Sequence, residues 1–203
     1  MARYSAEHKP RTRARILVAA ERLIKERGPQ GASVEAVMRE AGLTVGGFYA
    51  HFPSKEALLD EALIVGLERS LARLAAGLEH APPPAFAAAL VDRYLAQARD
   101  DGLERACPLT LLLPEVARAD DAVRRRFAGR TAAMVAGIEA RLPAVPGMAP
   151  RDVALAMFAS LAGAVAFARA AGTPRGRDRI LAAARAGLAR WLALPPSDDA
   201  GSA

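Results

Sequence analysis

Residues 33–55 read Ser33-Val34-Glu35-Ala36-Val37-Met38-Arg39-Glu40-Ala41-Gly42-Leu43-Thr44-Val45-Gly46-Gly47-Phe48-Tyr49-Ala50-His51-Phe52-Pro53-Ser54-Lys55. Val34, Val37, Met38 and Ala41 recur at helical spacing, and Ser33 is placed to cap that helix. Gly42 supplies the backbone freedom for a turn. Thr44 is placed to cap a second short helix, which Pro53-Ser54 breaks. This second helix is too short to be stable alone, and Gly46 and Gly47 each cost it roughly 1 kcal/mol against alanine. It mixes aromatics of buried type, Phe48 and Phe52, with Thr44, Tyr49, His51 and Lys55, whose side chains suit phosphate. A helix so weak needs an external reason to exist. We read that reason as contact with nucleic acid, which the missing side chains at Gly46 and Gly47 let its backbone approach.

Two short helices about a glycine turn form a helix-turn-helix. Its apolar positions, Val34, Val37, Met38, Ala41, Leu43, Phe48 and Phe52, can share a small core with Ile16, Ala20 and Leu23. This leaves Thr44, Val45, Gly46, Tyr49 and His51 on the outer face. The second helix of such a motif enters the major groove, and a helix N-terminus offers free N–H groups to phosphate. Lys55 falls in the first turn of the next helix, where a cation opposes the helix dipole; a bound phosphate would offset this. Few side chains here can read bases. Val45 can meet a thymine methyl, so specificity is expected to rest largely on DNA shape and phosphate positioning.

Charge agrees with this placement. The formal net charge is +6, of which residues 1–55 carry +5. A basic quarter on a near-neutral body suits a polyanion at one end. The basic residues Arg3, Lys9, Arg11 and Arg13 belong to an expected flexible arm, residues 1–10, and the helix start that follows it.

The rest of the chain also reads as helix. Alanine and leucine dominate, and no sustained period-two alternation appears. Expected helices run from about Arg11 to Arg27, Val34 to Ala41, Thr44 to Phe52, Ser54 to about Glu79, Ala85 to Arg99, Leu109 to Arg118, Asp120 to Leu142, Pro150 to Ala171 and Arg177 to Leu194. Gly28-Pro29-Gln30-Gly31, Pro82-Pro83-Pro84, Asp100-Asp101-Gly102 and Gly172 to Gly176 interrupt them, and the tail from about residue 197 is expected to be disordered. The fold class is therefore all-α with about nine helices. Residues 1–55 form a DNA-binding region and 56–203 a helical body, joined by the helix over 55–79.

Residues 11–59 resemble the N-terminal domain of the tetracycline-repressor (TetR/AcrR-like) family of transcriptional regulators. The resemblance is carried by Arg15-Ile16-Leu17, Ala19-Ala20, Leu23-Ile24, Gly28, Ser33-Val34, Ala41-Gly42-Leu43-Thr44, Phe48-Tyr49, His51-Phe52, Ser54-Lys55-Glu56 and Leu58-Leu59, in order and spacing. Met38 departs from the family's usual alanine and is expected to shift the packing between second and third helices. The resemblance implies a homodimer on double-stranded operator DNA, most simply a repressor released by a small molecule. Its DNA-contacting set would be Ser33, Thr44, Val45, Gly46, Gly47, Tyr49, His51 and Lys55.

The family resemblance further implies an effector cavity in the body, for which the candidate lining is Leu67, Phe86, Leu90, Tyr94, Thr110, Leu111, Met134 and Ile138. So apolar a set suits a largely apolar effector, oriented by Tyr94, Thr110 or an arginine. It also implies dimerisation through the last two long helices, with Met157, Leu161, Ala164, Ala168, Ile180, Ala184, Gly187, Leu188 and Trp191 as candidate interface.

Cys107, the single cysteine, precedes Pro108 at a helix start, where a thiol gains reactivity. A redox- or electrophile-sensing repressor is therefore a second reading. A small helical carrier or enzyme without DNA binding is a third, against which stands the lack of any nucleophile–base pair, paired carboxylates or phosphate loop. Three scattered histidines and one cysteine give no metal-ligand spacing, and no cofactor or catalytic residue is expected. The lack of a long uninterrupted apolar run, of a secretory leader and of cysteine pairs makes cytoplasm the expected location, with no membrane partner.

Overall fold

The computed structural model describes residues 3–99 and 107–195; for residues 3–7, 109 and 115 only the backbone is described. Among the described residues the chain is all-helical: α1 (Arg3–Gly31), α2 (Val34–Glu40), a 3-10 helix (Val45–Ala50), α3 (Lys55–Ala75), α4 (Pro83–Ala96), α5 (Pro108–Arg118), α6 (Asp121–Ala136), a short 3-10 turn (Glu139–Arg141), α7 (Pro150–Arg169) and α8 (Pro174–Leu192). It divides into two compact units, Met1–Glu68 and Arg69–Ala203, and α3 runs from the first into the second. The break expected at Asp100-Asp101-Gly102 and the tail from residue 197 lie outside the described residues.

In the first unit the expected N-terminal arm is instead helical. α1 begins at Arg3 and passes through Pro10; proline forfeits one backbone bond but keeps a helical φ. The helix breaks where the sequence indicated, at Gly28, whose φ of 70° and ψ of 172° are non-helical. Ser33 caps α2 as expected, its Oγ accepting from the N–H of Ala36 at 3.2 Å. The exit from α2 is a Schellman turn. Gly42, at φ 66°, donates its N–H to Arg39 O at 3.0 Å and Leu43 donates to Met38 O at 2.8 Å. Arg15 secures the same end by donating to Ala41 O at 2.6 Å. Ile16, Ala20, Leu23, Val37, Met38, Phe48, Phe52 and Leu58 are buried. Arg13 spans α1 and α3, forming a two-pronged ion pair with Glu61 while its guanidinium lies 4.4 Å from the Phe52 ring centre.

In the second unit α7 packs on α4, α5, α6 and α8. Its buried residues are Val153, Ala154, Met157, Phe158, Leu161, Ala162, Val165 and Ala168. It is long and apolar enough to cross a membrane by length and composition alone, so apolar side chains also occupy its uncovered side. There Leu155 is 41% and Phe167 72% exposed, with Ala159 exposed and Gly163 half-buried between them. α8 shows small residues in the same way: Ala182, Ala183, Ala186 and Gly187 are exposed, while Trp191 is half-buried. Arg185 of α8 donates to the Asp92 carboxylate at 2.6 Å, tying α8 to α4.

Further helix ends depart from expectation. α3 stops at Ala75 rather than Glu79, because Gly77 takes a φ of 73°. Its last carbonyls are taken by arginines: Arg93 donates to Leu74 O and Ala76 O at 2.8 and 2.7 Å. Arg141, stacked 3.8 Å from the Phe86 ring centre, donates to Leu78 O in the following turn. α6 ends at Ala136 rather than near Leu142, because Gly137 caps it and a 3-10 turn follows. α8 starts at Pro174, three residues early, because the Thr173 hydroxyl accepts from Gly176 N–H at 3.1 Å.

Candidate nucleic-acid interface

The turn after α2 delivers the chain into the 3-10 helix Val45–Ala50. An ordinary short α-helix was expected here. Two adjacent glycines and a start without a side-chain cap favour the tighter, shorter form. Thr44 sits at the N-cap with extended backbone, yet its side chain makes no capping bond. That corrects the expected capping role, and Thr44 is itself exposed.

What holds this weak helix in place is its underside. Phe48 is fully buried and stacks on Phe52 at 5.9 Å, while Tyr49 meets Phe48 edge-on at 5.2 Å. Its outer side is bare. Val45 is 42% and Tyr49 72% exposed, and Gly46 is exposed with no atom within 4 Å of where a Cβ would stand. At Gly47 a Cβ would meet only the Met38 methyl, at 4.0 Å. The larger Met38 is thus accommodated under the glycine pair.

Lys55 opens α3, and its field helps hold the Glu35 and Glu56 carboxyls below their ordinary range, after each group's backbone hydrogen bond and the Ser33 or Ser54 hydroxyl. His51, partly exposed, follows the 3-10 helix, and its Nδ1 is shielded without a hydrogen-bond partner. Burial lowers its pKa first, with Lys9, Arg13 and His8 adding to the effect. Of the predicted contact residues, Thr44, Val45, Gly46, Gly47, Tyr49 and His51 are thus brought onto one segment, followed by Lys55. Ser33 is a half-buried cap at the start of α2. The link of His8 to this corner depends on α1 extending N-terminally through Pro10.

The other candidate sets are more scattered. Of the proposed effector-lining residues, Leu67 belongs to the first unit and the rest to the second. Phe86, Leu90, Tyr94 and Ile138 are buried, and Leu111 and Met134 half-buried. Tyr94 and Thr110 do converge, their hydroxyls 2.8 Å apart. Burial pushes the Tyr94 phenol well above its ordinary pKa, and the Cys107 thiol beside it adds to this, while the Thr110 bond pulls the other way. Cys107 is buried at the N-cap of α5. Among the described residues no group of three or more His, Cys, Asp or Glu could hold a metal ion.

Four of the proposed dimer residues, Met157, Leu161, Ala168 and Leu188, are buried within a single chain. This corrects their assignment to an intermolecular face. Ala164, Ile180, Ala184 and Trp191 are half-buried, and Gly187 is exposed.

Comparison with known proteins follows the same division. Residues 16–62 match the family model for bacterial regulatory proteins of the tetR family. The HTH-type transcriptional regulator UidR of Escherichia coli K12 is 40% identical over 68 residues, covering 34% of this chain and 35% of UidR. The HTH-type transcriptional regulator YfiR of Bacillus subtilis is 31% identical over 94 residues, 46% of each chain. The matched region thus spans about a third to a half of these relatives' length. A TetR-family regulator from Rhodococcus sp. superposes with a TM-score of 0.71 at 23% identity, covering 89% of this chain and 98% of that one. One from Agrobacterium tumefaciens gives 0.71 at 21%, covering 91% and 99%. At such identities these structures establish the fold, and the kinship with bacterial regulatory proteins of the tetR family is shown for the N-terminal residues 16–62.

Proposed function

We propose that the protein is a cytoplasmic, homodimeric transcriptional regulator that binds operator DNA through the 3-10 helix Val45–Ala50 and releases it on binding a small, largely apolar effector in the second unit. One observation carries the DNA-binding part. A short glycine-softened segment, held only by the buried Phe48–Phe52 pair beneath it, turns the bare peptide at Gly46 outward. Tyr49, His51 and Lys55 are the phosphate contacts in this reading. Replacing Tyr49 and Lys55 together by alanine is expected to weaken duplex binding by about 10- to 100-fold, since a hydrogen bond to a charged group contributes about 1.5–3 kcal/mol. The dependence of log affinity on log salt should flatten by about one unit for the lost lysine. A gel-shift titration at several salt concentrations measures both; an unchanged affinity rejects the assignment.

Dimerisation is supported by the uncovered sides of α7 and α8. Leu155, Ala159, Gly163 and Phe167 recur every four residues on α7, and the small exposed residues of α8 allow close helix approach. A two-fold pair would present two reading helices to successive major grooves about 34–36 Å apart. Phe167→Asp is expected to shift the protein to monomers in sedimentation velocity and to weaken operator binding. A variant that stays dimeric would place the interface elsewhere.

The effector reading rests on the family resemblance and on the buried Tyr94–Thr110 hydroxyl pair. An effector acts only through its differential affinity for the DNA-competent and released states. The thiol-sensing alternative gains nothing from a Cys107 that is buried.

A further inference from the structure

We propose that binding a duplex draws a proton onto His51, so that the first unit grips DNA more tightly as the solution is acidified. The inference rests on the DNA-binding function proposed above and adds a regulation of that same surface.

The geometry starts with the ring itself. His51 closes the 3-10 helix as its C-cap residue. Its Nδ1 is shielded and has no hydrogen-bond partner, so what exposure the residue keeps lies elsewhere on it. An imidazolium carries a donor on both nitrogens, whereas neutral imidazole can leave one bare. With no acceptor at Nδ1, the free chain favours the neutral ring. The surroundings push the same way. His8, Lys9 and Arg13 lie on neighbouring turns of α1, and electrostatic interaction with each lowers the His51 pKa. His8 Nδ1 lies 3.4 Å from the Thr12 hydroxyl. On the α3 side Glu61 is engaged by Arg13, and Lys55 and Glu56 occupy the first turn. Glu35 of α2 senses Lys55.

A duplex phosphate opposes this balance through its charge. It brings negative charge to a corner where positive charge disfavours the imidazolium, while the outward N–H donates to it in either protonation state. The free-chain pKa lies below the ordinary histidine value through burial and the field of the α1 side chains; phosphate contact raises it. Between those two values each bound His51 takes up a proton, so affinity increases as pH falls through that window. Above the bound-state value and below the free-chain value the dependence vanishes.

The test is fluorescence-anisotropy titration of a random-sequence duplex of about four helical turns, at fixed low ionic strength, with wild type and His51→Gln. Between about pH 8 and pH 6 wild-type affinity should rise by up to about tenfold for each His51 engaged. His51→Gln should lose that rise whatever its affinity near pH 8, and His8→Gln should keep it. The His51 ring resonance, followed by NMR in the wild-type protein with and without duplex, should titrate at higher pH when DNA is bound. Equal pH slopes in wild type and His51→Gln, or an unmoved His51 titration, overturn this inference alone. Absence of duplex binding at every pH overturns the proposed function as well.

Discussion

Gly46→Leu is expected to leave the first unit folded while reducing duplex affinity by about 30- to 1000-fold, roughly 2–4 kcal/mol. The two effects separate because the position is crowded by nothing within the chain: no atom lies within 4 Å of the site of the new Cβ. Glycine is also the poorer helix former, by up to about 1 kcal/mol, so local stability should hold or rise slightly. On the duplex the leucine would stand between the peptide groups and the phosphates they approach. Losing one or two hydrogen bonds to charged oxygens, about 1.5–3 kcal/mol each, accounts for the size of the effect. Gly129→Leu, on an equally open glycine of α6, should bind DNA as wild type does. Circular dichroism establishes folding and gel shift establishes affinity. A Gly46→Leu protein that binds normally would show that the 3-10 helix does not press its backbone onto DNA.

Phe48→Ala is the second large effect, and here stability leads. The ring is fully buried and contacts Phe52 and Tyr49. Truncating a buried phenylalanine costs about 3–5 kcal/mol, against a total stability of only about 5–15 kcal/mol for a typical domain. The 3-10 helix has no reserve of its own, since it is short and glycine-rich. Thermal denaturation should therefore show the first unit melting far earlier, with duplex binding lost over the same temperature range and the second unit little changed. An unaltered melting profile would mean that something other than the aromatic pair holds residues 45–52.

What the sequence disclosed depended on whether a local rule settles the matter. A hydroxyl or carboxylate just before a helix has one obvious task, which makes Ser33 legible as a cap, and Ser33, Ser54 and Asp120 each accept a backbone N–H. Gly42 was legible because the following apolar residue demanded a turn. Thr44 failed the same rule, because the helix after it is wound too tightly for the usual capping contact. Pro10 misled because proline marks a boundary only on average; here α1 continues through it. The dimer assignment erred for a different reason. α7 is apolar around most of its circumference, so spacing cannot say which stripe faces its own chain. Met157 and Leu161 were chosen where the uncovered side holds Leu155 and Phe167. The grouping of His8 with His51 was not legible either, since it joins residues far apart in the chain through the N-terminal extension of α1.

The chain has one tryptophan, and the fold puts it on α8, half-buried. Intrinsic emission excited at the red edge therefore reports on the second unit alone, because the first contains no indole to contribute. It lies beside the small-residue side of α8, so self-association that covers this side should shift its emission as the protein is diluted. The molecule thus brings its own optical gauge, with no label attached.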